Sequence, residues 1–348
     1  MSAPTLRIDL AVLADNIRTV RARVAPAELL LVVKDDAYGH GLDRIVMAAV
    51  EEQVSWFGSS DLETALAVRF LVGPSPRILA WPAGGLAGLR NAVAESIDLG
   101  VGDLALLDAA AAAAQECGVT ARVHLKIDTG LRRNGFRPEQ WGDALGRARG
   151  YEDAGLIEVV AVWSHIAEAS DDEDDAARAL FDDAVDAARQ AGCALELRHL
   201  AASAASFARP EFTYDLVRVG AFCFGIRSAG GPSEQSLGIR PIASFEATVT
   251  QVSTEGVTVA LGSFDGVPST LGARVEVGTP GGRRALLRVD EETMLVEAWP
   301  GAAVGDTVVL FGPGCAGEDS ATTLAESIGT IGEEILLRVS PLVSRSYR

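Results

Sequence analysis

Eight short runs of Val, Ile and Leu recur between residues 28 and 220, and longer alanine-rich stretches of helical period separate them. Apolar runs between helical segments are typical of parallel strands, which βα units bury on both faces. We therefore predict an α/β fold, a (β/α)8 barrel of the TIM type, in preference to an open doubly wound sheet. The predicted helices include Leu42–Gln53, Leu104–Glu116 and Asp172–Gln190. The predicted strands are Glu28–Lys34, Trp56–Ser60, Arg77–Trp81, Ile97–Val101, Arg122–Asp128, Ile157–His165, Glu196–Ser203 and Leu216–Gly220.

The pattern changes after residue 227. Alternating segments such as Phe245–Val252, Arg284–Val289 and Glu334–Val339 are separated by turns rich in Gly and Pro. Such alternation predicts a mostly antiparallel β domain. We place the barrel at residues 11–227 and the C-terminal β domain at residues 228–348, and we expect residues 1–10 to pair with the β domain.

Charge and cysteine content narrow the class of function. The chain has 48 acidic residues against 30 basic ones, which argues against nucleic-acid or anionic-membrane partners because both favour clustered positive charge. Its four cysteines lie far apart without C-x-x-C spacing, so we predict neither disulfides nor a metal site. No leader pattern and no membrane-spanning apolar run are present, and a cytoplasmic location is expected.

Lysine is scarce in this chain, since Lys34 and Lys126 are the only lysines among its 30 lysine and arginine residues. A lysine amine can lose its proton and attack a carbonyl carbon, whereas an arginine guanidinium stays protonated. Lys34 closes the first predicted strand, and barrels of this type carry their active sites at the carboxyl ends of the strands. Lys34 is therefore the first catalytic candidate, and the alternative is a surface lysine with a buried stem.

Other reactive side chains also lie at the ends of predicted strands, which indicates a single catalytic face. His165 could instead be a core histidine, and Arg218 could instead form a structural salt bridge with Asp215. The residues at strand ends are Lys126 and Asp128 on the fifth strand, Ser164 and His165 on the sixth, His199 and Ser203 on the seventh, and Arg218 and Gly220 on the eighth.

Several common chemistries are excluded by their motifs. A P-loop needs Gly-Lys-Ser/Thr, but here Lys34 precedes Asp35 and Lys126 precedes Ile127. No H-E-x-x-H, nucleophile-elbow serine or dinucleotide G-x-G-x-x-G after a strand occurs. Zinc proteases, α/β-hydrolases and Rossmann dehydrogenases are therefore poor fits.

Five motifs in order along nearly the whole chain resemble those of the alanine racemases, which are fold-type III enzymes that use pyridoxal 5′-phosphate. Asp35 stands where alanine is usual in the first motif. The motifs are Val32-Val-Lys34-Asp-Asp-Ala-Tyr38-Gly-His-Gly41, His124-Leu-Lys126-Ile-Asp128-Thr-Gly-Leu-Arg-Arg133-Asn-Gly135, Trp163-Ser-His165, Leu216-Val-Arg218-Val-Gly220 and Ser340-Pro-Leu-Val-Ser-Arg-Ser-Tyr347.

The resemblance implies a role for each matching residue. Lys34 would hold the cofactor covalently and act as the base on one face of the substrate's α-carbon. Arg218 would face the pyridine nitrogen and keep it unprotonated, with His165 bonded to the arginine. The cofactor phosphate would be held by Tyr38, Ser203 and the backbone amides of Gly220 and Ala221.

The substrate site implied by the resemblance includes residues from both domains. Arg133 would contact the cofactor phenolate or the substrate carboxylate, and Lys126, which is carbamylated in some family members, would orient it. Val289 and Asp290 are the substrate-site candidates in the C-terminal domain. The resemblance also implies a homodimer whose sites are shared between the subunits.

One departure from the family concerns the second acid–base group. The family uses a tyrosine of the partner's C-terminal domain on the face opposite the lysine, but this chain has no tyrosine between Tyr214 and Tyr347. The segment that would carry it is missing, because residues 250–262 run directly from one predicted strand into the next. Further differences are Ser263 and Glu333 where the family has tyrosines, and Ala202 where it has asparagine.

Three functions follow from these residues. The first is a pyridoxal phosphate-dependent racemase interconverting L- and D-alanine, with low or altered activity. Its second base would be water or Asp265, Asp290 or Glu333 supplied by the partner subunit. The second is a one-base pyridoxal phosphate enzyme, namely an epimerase, decarboxylase or lyase. The third is a catalytically weak paralogue that binds the cofactor.

Overall fold

The chain divides into two compact units. The computed structural model describes residues 3–82, 85–168 and 170–348. One unit comprises residues 20–34 and 49–220, and the other combines the chain up to Thr19 with residues 35–48 and 221–348. Residues 35–48, which directly follow the first barrel strand, thus cluster with the C-terminal part of the sequence. The domain limits predicted above, 11–227 and 228–348, stay a prediction.

Residues 20–34 and 49–220 contain a closed parallel barrel, as predicted. Its eight strands are hydrogen-bonded in the order β8-β7-β6-β5-β4-β3-β2-β9. Backbone bonds from Asp215 N to Arg198 O (3.1 Å) and from Arg218 N to Ala201 O (3.2 Å) connect the last strands and close the ring. The strands, numbered along the whole chain, are β2 Glu28–Val32, β3 Trp56–Ser59, β4 Arg77–Ala80, β5 Asp98–Val101, β6 Ala121–Lys126, β7 Ile157–Trp163, β8 Leu197–His199 and β9 Leu216–Val219.

All eight predicted strands are confirmed, and the structure ends most of them earlier than the sequence pattern does. The largest difference is at Glu196–Ser203, where the strand covers only Leu197–His199 and Ser203 begins a helix. The apolar run continues into the barrel mouth, so composition alone does not mark where hydrogen bonding to the neighbouring strands stops.

The helices begin at residues that cap them. Asp61 accepts a hydrogen bond from Thr64 N at 2.6 Å, and Asp103 accepts one from Leu106 N at 2.8 Å, which satisfies amides that have no partner inside the helix. Among the described residues no helix has the length and apolar character needed to span a bilayer. The longer helices are Leu10–Val24, Leu42–Glu51, Leu62–Val72, Leu104–Cys117, Trp141–Asp153 and Asp171–Gln190, and the shorter ones are Leu89–Ala94, Ser203–Ala208, Glu234–Leu237, Ala321–Ser327 and Gly332–Leu337.

The second unit contains the predicted β domain. Six antiparallel strands close on themselves in the order β11-β14-β13-β12-β15-β10, with β10 also pairing with β11. β1 (Thr5–Ile8) lies antiparallel to β10, and β16 (Ser344–Tyr347) lies parallel to β1. Met1 and Ser2, part of the N-terminal segment expected to pair here, lie outside the described residues. The other strands are β10 Ala243–Val252, β11 Val257–Val259, β12 Glu276–Thr279, β13 Gly282–Val289, β14 Met294–Val296 and β15 Thr307–Phe311.

One predicted strand of this unit is wrong. Glu334–Val339 lies mostly in the helix Gly332–Leu337. Ile335, Leu336 and Val339 are the buried positions, and this i, i+1, i+4 spacing is a helical face, not a strand alternation. The predicted strands Phe245–Val252 and Arg284–Val289 are confirmed within β10 and β13, and β10 passes to β11 through residues 253–256 alone.

Candidate active site

The reactive residues of the barrel lie at the carboxyl ends of its strands. Lys34 is the second residue after β2, Lys126 ends β6, and His165 is the second residue after β7. Ser203 begins the helix after β8, and Gly220 directly follows β9, the strand that contains Arg218. This is the end at which barrels of this type carry catalytic residues.

Four cationic side chains act on the pKa of His165. Burial is the largest cause that lowers the pKa of this imidazole, to about 3, and the charges of Arg218, Arg133, Lys126 and Lys34 lower it further. His165 is therefore neutral at physiological pH. So much positive charge around one ring requires an anionic ligand, or neutralisation of one of the amines.

The amine of Lys126 has a lowered pKa because of its surroundings. Its side chain is only 5% exposed, and its Nζ lies 4.6 Å from the centroid of the Trp163 ring. Burial, then the charges of Arg218 and Arg133, lower the pKa of Lys126 to about 7, although Asp128 acts in the opposite direction. A large fraction of this amine is thus unprotonated near neutral pH.

Lys34 and Lys126 lie on opposite walls of the barrel. In the cyclic order of strands, β2 and β6 are separated by four steps in either direction. The two lysines of the chain therefore lie at the carboxyl ends of opposed strands of the barrel.

Arg133 lies in a loop that is closed by backbone hydrogen bonds. Asp128 N donates to Phe136 O, and Phe136 N donates to Lys126 O, both at 2.8 Å. Gly135 has a φ of +128°, and a Cβ there would lie 2.9 Å from Asp128 N, so this turn requires glycine. The loop keeps Arg133 exposed within the reach of the barrel mouth.

Arg218 is buried, with carbonyl oxygens and imidazoles as partners. Its Nη2 donates to Ser164 O at 2.8 Å and Leu200 O at 3.0 Å, and lies 3.1 Å from His165 Nδ1. Its Nη1 lies 3.1 Å from His199 Nδ1. Burial, and then the charge of Arg133, lower the pKa of Arg218 to about 9, which leaves it cationic at neutral pH.

The alternative partner proposed for Arg218 is wrong. Asp215 binds Arg198 instead, with Nε at 2.8 Å and Nη2 at 3.0 Å from its carboxylate oxygens. Asp215 precedes β9, at the opposite end of the strand from the mouth. The side-chain partners of Arg218 are therefore His199 and His165 and not Asp215.

Sequence reasoning missed a set of polar side chains inside the barrel. His199 Nε2 lies 2.9 Å from His124 Nδ1, and His124 Nε2 lies 3.1 Å from Asp98 Oδ2. All three side chains are completely buried. The available signal was Asp98 itself, because a carboxylate inside the apolar run Ile97–Val101 needs buried partners.

Two of the predicted phosphate ligands, Ser203 and Gly220, belong to the barrel. Ser203 is half-buried at the first position of its helix. Two residues further on, Ala205 N donates to the Glu168 carboxylate at 3.1 Å, and burial raises the pKa of Glu168. Gly220 is buried directly after β9 and has no side chain of its own to cover its amide.

Tyr38 lies in a left-handed turn of the second unit. Four consecutive residues, Asp35 to Tyr38, have φ between 53° and 58°. Such a conformation costs roughly 1–2 kcal/mol for each non-glycine residue, and strain of this kind is concentrated at functional sites. The Tyr38 ring is buried 4.9 Å from that of Phe224, and burial, then the Glu333 and Asp35 charges, raise its pKa.

The other predicted residues of this unit have local partners. Ala221 begins a short 3-10 turn, and Val289 is a buried residue at the end of β13. The exposed Asp290 carboxylate accepts from Arg288 Nε at 2.8 and 3.0 Å. Asp265 Oδ2 accepts from Gly262 N at 2.9 Å, and Glu333 is half-buried in the helix Gly332–Leu337.

The four tyrosines of the chain lie outside the segment in which a second acid–base tyrosine was sought. Tyr151 donates to Asp108 at 2.8 Å, and Tyr214 donates to Asp182 at 2.7 Å. Tyr347 donates to His40 O at 2.9 Å. With Tyr38 buried beside Phe224, each phenol already has a structural environment of its own.

These residues fit pyridoxal phosphate. Two lysines and two arginines converge on the mouth of the barrel, and one of the lysines is close to neutral at physiological pH. An anionic phosphorylated aldehyde and a substrate carboxylate would match the charge, and a primary amine would match the aldehyde. A closed βα barrel with such a mouth and an antiparallel β domain defines the class of fold-type III pyridoxal phosphate enzymes.

Comparisons with known proteins identify the family within this class. The model of the alanine racemase N-terminal domain matches residues 8–228, and that of the alanine racemase C-terminal domain matches residues 242–347. The chain belongs to the alanine racemase family, whose enzymes use pyridoxal 5′-phosphate. The resemblance inferred from the five motifs is confirmed.

Individual relatives are similar over nearly their full lengths. An alanine racemase of Beutenbergia cavernae is 37% identical, with 98% of this chain and 96% of the relative covered. The crystal structure of alanine racemase from D-cycloserine-producing Streptomyces lavendulae is 32% identical with a TM-score of 0.93, covering 100% of this chain and 97% of that one. The structure of alanine racemase from Streptomyces coelicolor is also 32% identical, with a TM-score of 0.94, and the match covers 99% of this chain and 98% of that one.

Proposed function

We propose that this protein is a pyridoxal phosphate-dependent racemase that interconverts L- and D-alanine. The observation that carries the proposal is the placement of the two lysines on opposite walls of a cation-rich barrel mouth. Relatives of similar length that are named alanine racemase support alanine as the substrate.

The proposed roles follow from the positions of the side chains. When bound, pyridoxal phosphate supplies an electron sink that stabilises negative charge at the substrate's α-carbon. Lys34 would hold the cofactor and move the α-proton at its Nζ on one face. Arg218 would orient the ring through the pyridine nitrogen, and its histidine partners would hold the guanidinium in place.

The phosphate and the carboxylate of the ligands require separate anchors. Tyr38, Ser203 and the amides of Gly220 and Ala221 are the proposed phosphate ligands. Arg133 is the proposed partner of the substrate carboxylate, because its guanidinium is exposed and its charge acts on Lys126. Val289 and Asp290 are the proposed substrate-site residues of the β domain.

Racemisation also requires an acid–base group on the second face. The absence of a tyrosine from residues 215–346 removes the group that the family uses. The carboxylates of Asp265 and Asp290 already accept hydrogen bonds from Gly262 and Arg288. We assign the second proton transfer to Lys126, because its Nζ is on the wall opposite Lys34 and is poised to gain or lose a proton near pH 7.

The assembly that we propose is a homodimer with sites shared between the subunits. The family resemblance supports it, and sedimentation measurements test it against the chain mass of 36.3 kDa. A protein that remains a monomer at micromolar concentration and still racemises alanine would contradict the sharing of sites.

Enantiomer-specific hydrogen exchange tests the reaction. The purified protein, loaded with pyridoxal phosphate, is incubated in D2O with L-alanine or D-alanine, and α-deuteration and circular dichroism are followed together. Deuteration and interconversion of both enantiomers support the racemase. Deuteration of one enantiomer without interconversion indicates a one-base enzyme, and no exchange with bound cofactor indicates a binding paralogue.

A further inference from the structure

Buried polar side chains form a continuous line from the mouth of the barrel to its opposite end. The line runs from Arg218 to His199 (3.1 Å), from His199 to His124 (2.9 Å) and from His124 to Asp98 (3.1 Å). Asp98 is the first residue of β5, so it lies at the amino-terminal end of the strands. The line therefore connects the amino-terminal end of the barrel, where residues usually serve stability, to the carboxyl-terminal end, where residues usually serve catalysis.

The two ends of this line together fix the direction of every hydrogen bond in it, because the Arg218 guanidinium can only donate and the Asp98 carboxylate can only accept. A guanidinium can only donate, so His199 accepts at Nδ1 and carries its proton at Nε2. His199 Nε2 therefore donates to His124 Nδ1, and His124 in turn carries its proton at Nε2. His124 Nε2 donates to Asp98, which must be an ionised carboxylate in order to accept from three donors.

The surroundings keep both imidazoles neutral and dry. The Trp163 ring stacks on His199 at 5.4 Å between centroids, and the edge of Trp56 meets His124 at 5.9 Å. Burial lowers the pKa of His124, and burial together with the Arg218 charge lowers that of His199 well below its usual value. A neutral imidazole is the only form in which one nitrogen donates and the other accepts.

Two arginines hold the carboxylate at the far end. Arg77 Nη2 lies 2.5 Å from Asp98 Oδ2, and Arg122 Nε lies 2.6 Å from Asp98 Oδ1. Burial acts to raise the pKa of Asp98, but the hydrogen bond from His124 and the charges of Arg77 and Arg122 hold it below its usual value. Asp98 therefore remains an acceptor across the physiological pH range.

We propose that Asp98 is a positioning residue that sets the tautomers of His124 and His199 and thereby fixes the orientation of Arg218 at the barrel mouth. The consequence for catalysis rests on the proposed function, in which Arg218 contacts the pyridine nitrogen of the cofactor. The tautomers themselves depend on the protein alone.

Loss of the acceptor at residue 98 would reverse the direction of the hydrogen bond between His124 and His199. In Asp98→Ala, the buried His124 Nε2–H has no acceptor, so His124 gains by moving its proton to Nδ1. His124 then donates to His199, which must accept at Nε2 and carry its proton at Nδ1. That proton points at the Arg218 guanidinium, and two donors that face each other cannot bond.

Solid-state 15N NMR of histidine-labelled protein reads the tautomers directly. The chain has four histidines, so single His→Gln variants assign the spectrum. We expect His124, His165 and His199 to carry their proton at Nε2 and to be neutral at pH 7. His40 is the internal reference with its proton at Nδ1, since that nitrogen lies 2.8 Å from the carbonyl oxygen of Ala37. A wild-type spectrum with His124 or His199 protonated at Nδ1 overturns the proposal, even if no variant folds.

Three variants separate the acceptor from the ion pairs. Asp98→Ala is expected to move the His124 and His199 protons to Nδ1, whereas Asp98→Asn retains an oxygen acceptor and is expected to keep both at Nε2. Arg122→Gln is the matched control, since it removes an ion pair from the same carboxylate and leaves the acceptor. Unchanged tautomers in a folded Asp98→Ala, or the same change in Arg122→Gln, would overturn the proposal.

The catalytic consequence has a separate measurement. In the holoenzyme, Asp98→Ala is expected to lower alanine racemisation about tenfold and to shift the absorbance of bound cofactor, with Asp98→Asn close to wild type. Wild-type turnover and an unshifted spectrum in Asp98→Ala, despite reversed tautomers, would refute the effect on Arg218. If the wild type does not racemise alanine but the tautomers respond as expected, the proposed function fails and the positioning role stands.

Discussion

Arg218 Nη1 donates to His199 Nδ1 at 3.1 Å, and this bond makes a buried cation dependent on a histidine tautomer. The guanidinium remains charged because its pKa, lowered to about 9 by burial and by Arg133, stays above neutral pH. Its neighbours are neutral imidazoles and carbonyl oxygens, so its geometry is set by hydrogen bonds and not by an opposing charge.

Lys34→Ala should abolish covalent attachment of the cofactor. We expect loss of the near-visible absorbance band in protein dialysed free of external amines, and a decrease in racemisation of more than about 1000-fold, because Lys34 is the proposed attachment amine and also the base on its face of the substrate. Lys126→Met is the matched control, since it removes the only other lysine. Persistence of the band in Lys34→Ala would contradict the assignment.

Lys126→Met should affect the two enantiomers of alanine differently. If Lys126 acts on the second face, solvent exchange at the α-carbon falls by about 100-fold or more for one enantiomer and is largely retained for the other. The measurement is mass spectrometry of each enantiomer in D2O. Lys126→Arg keeps the charge but cannot act as a base, so a purely electrostatic role predicts recovery in this variant. An equal loss for both enantiomers would argue against proton transfer by Lys126.

Lys126 also makes stability depend on pH. Its folded-state pKa of about 7 lies below the usual 10.5, so the unfolded chain binds more protons between these values and stability rises as the pH increases from 7 to 10.5. Below pH 7 the folded protein bears the full cost of a buried charge, on the order of 4 kcal/mol. Lys126→Met should therefore raise the free energy of unfolding most at pH 6. Urea denaturation of the cofactor-free proteins at pH 6, 8 and 10 measures the difference in free energy of unfolding between Lys126→Met and wild type. We expect this difference to decrease as the pH rises, and a constant difference would disprove the prediction.

Asp35→Val should destabilise the left-handed turn. Asp35 has a φ of 54°, a region that aspartate and asparagine tolerate far better than a β-branched residue. We expect a decrease of about 1–2 kcal/mol in the free energy of unfolding for Asp35→Val, measured by chemical denaturation. Asp35→Asn is the control and should remain within about 0.5 kcal/mol of wild type. Equal stability of the two variants would show that the turn is not strained at this position.

Parts of the site were predictable because their chemistry is visible in single residues. Lys34, Lys126, His165 and Arg218 were proposed because reactive side chains at the ends of apolar strands converge at one end of a parallel barrel, and the structure has all four near the carboxyl ends of their strands. Asp98 was missed because its significance depends on His124 and His199, which belong to other strands. Their contact is a property of the barrel interior and has no trace in sequence spacing.

The short helix Gly332–Leu337 shows a different limit of sequence reasoning. Six residues cover less than two helical turns, so a few apolar residues satisfy both a strand period and a helical period. The left-handed turn at residues 35–38 was not predicted either. Its φ values are imposed by how the chain leaves β2, and the amino acids present there favour ordinary helix as readily.

The sequence by itself determined the barrel, the antiparallel β domain and the family, and it singled out the two lysines as candidates for reactive amines. Hydrophobic period and side-chain chemistry are local properties of the chain, and they survive without coordinates. The tertiary structure alone decided that Lys126 has a pKa near 7, that Asp215 belongs to Arg198, and that Arg218 is connected to Asp98. Each of these depends on burial and on distances of a few ångströms between strands remote in sequence, and only closure of the barrel creates them.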